Sequence, residues 1–105
     1  MSTIVEFDAL PWEIAGEHVR QKKFVVRDRV IRLLELSDGF AEADWCWRAH
    51  DGYVLSGELQ LTFTDRSVVF GAGNGLHLGG SESEKHKAAV IHGPVLLFLV
   101  EPASG

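Results

Sequence analysis

Ala41-Glu-Ala-Asp-Trp-Cys-Trp-Arg-Ala-His50 is the stretch on which the reading of this chain turns. Wound as a helix, it would spread Trp45 and Trp47 over different faces. Extended as a strand, with successive side chains on opposite sides, it sorts cleanly. Trp45, Trp47 and Ala49 point one way, while Asp44, Cys46, Arg48 and His50 point the other. A period of two fits, so the segment is expected to be a strand. Its polar face carries three side chains able to ligate a metal, with an arginine beside them.

Outward from this stretch the same period recurs. Residues 53–64 form the longest run, with Leu59, Leu61 and Phe63 on one face and Glu58, Gln60, Thr62 and Thr64 on the other. Asp65-Arg66 reads as a tight hairpin turn into a strand at 67–70. Upstream, residues 3–7 read as a first strand, ended by Asp8 and Pro11. Residues 23–27 and 29–36 are rich in Val, Ile and Leu, and Ser37-Asp38-Gly39 closes the second run. Downstream, Gly71, Gly73, Asn74 and Gly75 form one glycine-rich turn and Gly79-Gly80 another. Residues 85–91 and 95–101 are expected to pair as a last hairpin about His92-Gly93-Pro94. Helix signals are weak throughout. Short strands separated by turn residues predict an all-β barrel or sandwich.

Length and composition set the outer bounds. A chain of 105 residues makes one compact domain and is too short for two. With 46% hydrophobic and 24% charged residues, it is neither disordered, nor collagen-like, nor a disulfide-dense mini-protein. The single Cys46 has no internal disulfide partner, which fits a reducing compartment. A net charge of -5 works against phosphate affinity, so no nucleic-acid partner is expected. The one basic cluster, residues 20–32, alternates with Phe24, Val25, Val26, Val30 and Ile31 and reads as strand faces. No stretch approaches the ~20 apolar residues of a membrane span. The N-terminus is acidic where a secretory signal is basic and then apolar. A cytoplasmic protein without a membrane partner is the expectation.

The candidate site has two parts. Asp44, Cys46 and His50 are potential ligands from one strand. Glu84 and His86, two apart, share one face of a later strand and meet the first set only if a barrel closes. Alternation alone leaves open whether the polar face lines an interior or meets water, because both faces of a strand obey it. The spacing also lacks the tight CxxC or HExxH form of a strong metal motif. Arg48 is able to clamp a carboxylate bidentately or to pair locally with Asp44. Of the other histidines, His77 is placed by parity toward a lumen or at an edge, His92 in a turn and His18 in solvent. Gly71-Ala-Gly-Asn-Gly75 lacks a following lysine-serine or helix start and is read as turn chemistry, not a phosphate cradle.

Four pieces carry a family resemblance: Tyr53-Val-Leu-Ser-Gly-Glu-Leu59, Gly71-Ala-Gly-Asn-Gly-Leu-His-Leu78, His86-Lys-Ala88 and Val95-Leu-Leu-Phe-Leu-Val-Glu101. From Asp44 to Glu101 the chain resembles single-domain proteins of the cupin superfamily, small β-barrels of jelly-roll type. In the frame of the first cupin motif, Asp44 and Cys46 stand at the two histidine positions, His50 at the glutamate and Gly57 at the closing glycine. Gly39 lies one residue out of register with the opening glycine. In the second motif Gly73 matches, while Gly79, Ser81, Glu84 and Ala88 stand at the proline, glycine, histidine and asparagine positions. All four ligand positions depart from the family's residues, yet each replacement keeps a donor atom. His86 lies two beyond the motif position and by parity is the alternative to Glu84.

The resemblance implies an all-β, single-domain jelly-roll (double-stranded β-helix) barrel, with 1–36 extending a sheet and 39–101 forming the barrel core. It implies a homodimer paired through the N-terminal strands. It implies a divalent metal, Fe, Zn, Mn or Ni, on ligands drawn from Asp44, Cys46, His50, Glu84 and His86. His50, His86 and one carboxylate would suit non-haem Fe(II), whereas Cys46 in the set makes Zn²⁺ as suitable. The implied activity is oxygenase, isomerase or decarboxylase chemistry on a small molecule in the lumen. Arg48, with His77 and Tyr53, makes up the expected substrate-binding set. The alternatives are a metal-free barrel that binds or senses a small molecule, and a structural protein whose barrel is filled.

Overall fold

The computed structural model describes residues 4–103. It contains seven strands: β1 (Glu13–Gly16), β2 (Val19–Val26), β3 (Arg29–Leu36), β4 (His50–Thr62), β5 (Ser67–Gly71), β6 (Gly75–Leu78) and β7 (Lys87–Pro102). Two single 3-10 turns, Phe7–Ala9 and Glu82–Glu84, complete the regular structure. Every pairing is antiparallel, in the order β1-β2-β3-β7-β4-β5, and β6 also pairs with β4.

The long strands β4 and β7 form the spine. They pair from Thr62↔Lys87 at one end to Asp51↔Val100 at the other. β5 takes the second half of β4 and β6 the first, while β3 takes the second half of β7. The register places alternate residues inward. Leu34 stands opposite Leu97, Leu97 opposite Val54, and Leu36 opposite Val95. With Leu59, Leu61, Phe63, Leu76, Leu78 and Leu99 these make one buried cluster. Each such leucine contributes on the order of 1.5–3 kcal/mol when fully withdrawn from water.

Two glycines let the spine bend and close. At Gly57 the β4–β7 register shifts, φ is +84°, and an added Cβ would lie 2.6 Å from the Pro94 carbonyl. Only glycine fits that bulge without strain. At Gly52 a Cβ would lie 2.3 Å from the Phe98 carbonyl, so β4 and β7 approach there only because the side chain is absent.

Three expected elements differ from those observed. The first strand does not form: Phe7–Ala9 is a 3-10 turn, and Thr3 lies outside the described residues. Lys22 Nζ donates to the Phe7 carbonyl at 2.8 Å and the Phe7 ring meets Phe98 edge-on, so side chains, not a ladder, tie this segment down. The last hairpin is instead one continuous strand, β7, running through His92-Gly93-Pro94. Across Gly93-Pro94 the register sets four steps of β7, His92 to Leu96, against two of β4, Ser56 to Glu58, so β7 carries the extra residues as a bulge and runs on as one strand. His92 therefore lies in a strand.

The stretch 41–50 is the third. It is extended, but holds only isolated bridges, Ala41↔Ala89 and Cys46↔His86, before β4 starts at His50. The cause is local. The Ala88 N–H goes to the Glu42 carboxylate at 2.8 Å, not to a backbone carbonyl, so the ladder lapses between the two bridges.

Candidate metal centre

Three donors from two distant segments meet in the barrel. One ligand atom each from Cys46, His50 and His86 lies within 4.8 Å of the other two. Cys46 Sγ is 3.8 Å from His50 Nε2. The backbone sets this meeting: Cys46 N–H donates to the His86 carbonyl at 2.8 Å, and His86 N–H returns to the Cys46 carbonyl at 3.0 Å. His50 opens β4 one residue before the β4–β7 pairing, and its ring stands edge-on to His86 with centroids 5.6 Å apart.

Both imidazoles are oriented by their other nitrogen. His86 Nδ1 is 3.1 Å from the Glu84 carbonyl, which only accepts, so Nδ1 carries the proton and Nε2 keeps its lone pair. His50 Nδ1 is paired to a Glu101 carboxylate oxygen, which leaves Nε2 to face Cys46. Carboxylates and carbonyls behind histidine ligands fix the tautomer and ring plane in this way.

Glu101 is the deepest charge in the barrel, with its side chain 1% exposed. Arg32 Nη2 donates to Glu101 Oε2 at 2.8 Å and Arg32 Nη1 to Gln21 Oε1 at 3.0 Å. Arg32 Nε and Glu101 Oε1 lie 2.7 Å apart, too poorly aligned for a hydrogen bond, and neither buried atom has another partner. Burial pushes the Glu101 carboxyl up. The hydrogen bonds from His50 and Arg32, with the charge beside them, outweigh that and hold it at about 2. Glu101 is therefore ionised at neutral pH, cancelled by Arg32.

The cluster opens on a cavity of about 270 Å³. Eight leucines of β3, β4, β6 and β7 dominate its apolar lining, and Glu42, Arg32 and Arg48 add charge. Glu42 is anchored through Oε1 on the Ala88 N–H. Arg48 is exposed at the lining, and its guanidinium makes no hydrogen bond or ion pair among the described residues; the local pair with Asp44 is not formed.

The expected site residues divide accordingly. Cys46, His50 and His86 come together, and Arg48 lines the same cavity. Asp44 does not join them: the chain bends at 43–44 and its side chain is exposed in an outer groove. Glu84 sits in the turn Glu82–Glu84, with its carboxylate over Gly79; its carbonyl, not its acid, serves the centre. His77 faces outward and pairs with Asp51, because in β6 Leu76 and Leu78 take the inward positions. Tyr53 is 45% exposed on the outer face of β4. Neither lines the cavity. Glu101, Arg32 and Glu42 were not expected. The first two carry a readable signal, since Glu101 is in phase with Val95, Leu97 and Leu99, and Arg32 with Val30, Leu34 and Leu36.

No family description matches this chain, and no curated protein is similar to it in sequence. Solved structures are similar in fold. An RmlC-like cupin from Shewanella frigidimarina superposes with a TM-score of 0.78 at 15% identity, covering 99% of this chain and 94% of its own. The polyketide cyclase RemF from Streptomyces resistomycificus gives 0.79 at 20% identity, covering 99% of this chain and 81% of its own. A sugar phosphate isomerase of the cupin superfamily from Silicibacter pomeroyi gives 0.74 at 10% identity, covering 96% and 76%. The shared architecture is an all-β barrel. No helix among the described residues is long and apolar enough to cross a membrane.

Proposed function

Starting from a chain with the cupin fold, we propose that it is a metal-dependent enzyme acting on a small molecule in the barrel, with Cys46, His50 and His86 as the ligands. The observation that carries this is the convergence of three donors whose two imidazoles are both pre-set with Nε2 free. The donor set fits the metal. A thiolate and an imidazole on tetrahedral zinc stand about 3.6 Å apart by ordinary bond lengths, against 3.8 Å between Cys46 Sγ and His50 Nε2. Three protein donors with a fourth position open is the arrangement of catalytic zinc. With Cys46 in place of a carboxylate, the set moves away from the two-histidine, one-carboxylate pattern of oxygen-activating iron. Lewis-acid chemistry, isomerisation or decarboxylation, is the reading it favours.

Bound zinc supplies polarisation of a carbonyl and acidification of bound water. The chain's own residues do the rest. Glu101, locked by Arg32, keeps the His50 ring aimed. The free guanidinium of Arg48 orients an anionic group, and Glu42, held by one oxygen, is the carboxylate in the cavity able to take a proton. Pairing of two copies through β1, whose four residues are all exposed, belongs to the same reading, and sedimentation tests it.

Cobalt substitution tests the centre. The wild-type protein loaded with Co²⁺ is expected to show a thiolate-to-cobalt charge-transfer band that Cys46→Ser abolishes. A cobalt spectrum unchanged by that substitution removes Cys46 from the site. The second reading, a metal-free binding barrel, is favoured by the apolar cavity and is what remains if no metal binds.

A further inference from the structure

The cavity walls say what kind of molecule the barrel holds. Leu34 and Leu36 of β3, Leu59 and Leu61 of β4, and Leu97 and Leu99 of β7 face it, with two more leucines from β6. The polar groups are few, and most are already engaged. Arg32 is spent on Glu101 and Gln21, Glu101 on Arg32 and His50, and one Glu42 oxygen on a backbone N–H. A polyhydroxylated ligand would bury several hydroxyls against leucine, each costing free energy with no protein hydrogen bond in return. A hydrocarbon body meets no such penalty and gains from the same surface.

The charges specify the other end. Arg32 and Glu101 cancel. Counting the proposed divalent ion with the Cys46 thiolate, Glu42 and Arg48, the cavity is left net positive, and the Arg48 guanidinium has no partner among the described residues. At about 270 Å³ the space lies just under the usual ligand range of ~300–1,000 Å³. It suits a metabolite-sized molecule.

We infer that the ligand is a small monocarboxylate with an aliphatic or aromatic body and few hydroxyls, its carboxylate on Arg48 and its body among the leucines. The 2-oxo group carried by the probes below rests on the metal reading above; the apolar body does not.

Titration calorimetry on the full chain, zinc-loaded and chelator-treated, tests this with four probes. These are 4-methyl-2-oxopentanoate and phenylpyruvate as apolar acids, gluconate as a polyhydroxylated acid, and 4-methylpentan-2-one as an uncharged analogue. The two apolar acids are expected to bind at least tenfold more tightly than gluconate or the ketone. Arg48→Ala is expected to weaken the apolar acids roughly tenfold or more, as loss of a charged hydrogen bond does, with no change for the ketone. If the acids keep their ranking in chelator-treated protein that also fails to take up zinc, the ligand class stands and the metal reading fails. If zinc binds and gluconate matches or exceeds the apolar acids, or none of the four binds, the ligand class is overturned while the metal reading stands.

Discussion

The barrel contains the same pair twice. His50 Nδ1 meets Glu101 inside it, with side chains 12% and 1% exposed, and His77 Nδ1 meets Asp51 outside it, with side chains 78% and 65% exposed. Both histidines sit on strands that pair with one another, His50 in β4 and His77 in β6. The difference is what surrounds them. The inner carboxylate is also held by Arg32 and its histidine aims a free nitrogen at Cys46 and His86; the outer pair faces water. A histidine–carboxylate pair becomes a ligand-orienting device only where burial removes water as a competitor and a second donor waits on the far side of the ring.

The widest gap between the two regions is in stability. Glu101→Ala leaves Arg32 buried without its counter-charge, and about 3–5 kcal/mol is expected to be lost in urea unfolding, the range for breaking a buried pair from one side. Asp51→Ala, at an exposed pair screened by solvent, is expected to leave the urea midpoint unmoved. Equal effects would erase the distinction between the regions.

Metal affinity is the next largest. Glu101→Gln keeps the shape but removes the charge behind His50, and zinc affinity is expected to fall about 10- to 100-fold. Asp51→Asn is expected to leave it unchanged in the same competition titration.

The pH dependence of the two pairs runs in opposite directions. Glu101 is depressed to about 2 from an ordinary 4.5, so its contribution is fully present above 4.5 and is lost as pH falls through about 2. Acid unfolding monitored by circular dichroism should be steepest in that interval, and Glu101→Gln should flatten it. His77 is raised above 6.5 by its hydrogen bond to Asp51 and by that charge, so its contribution is present below 6.5 and is lost as pH rises through the raised value. This smallest effect is best read as an NMR titration of the His77 ring, returning toward the ordinary value in Asp51→Asn and shrinking with added salt.

How much of this was legible in the sequence depends on where the backbone stays regular. Strand parity places Cys46, Arg48 and His50 toward the cavity, but in β7 the inward phase switches from even at His86 and Ala88 to odd at Leu97 and Leu99, across the register shifts at 90–96. It fails at Asp44, because counting by twos presumes an unbroken ladder and the Glu42 carboxylate interrupts this one. It fails at Glu84 for a similar reason: a 3-10 turn presents its carbonyl instead of its acid. His77 and Tyr53 show the limit of resemblance, since their strands are present but their parity is outward. Glu101 and Arg32 were legible in principle, as charges in phase with leucines that have to be buried. A charge in such a position needs a partner across the barrel, and that partner becomes visible only when β3 and β7 are seen to pair.

The central claim is that the inner histidine, and not the outer one, helps to hold a metal. Zinc content per chain, measured by mass spectrometry on wild type, His50→Ala and His77→Ala purified without chelator, tests it most directly. One zinc is expected in wild type and in His77→Ala, and none in His50→Ala. Zinc-free wild type, or a His50→Ala protein that keeps its zinc, would contradict the account.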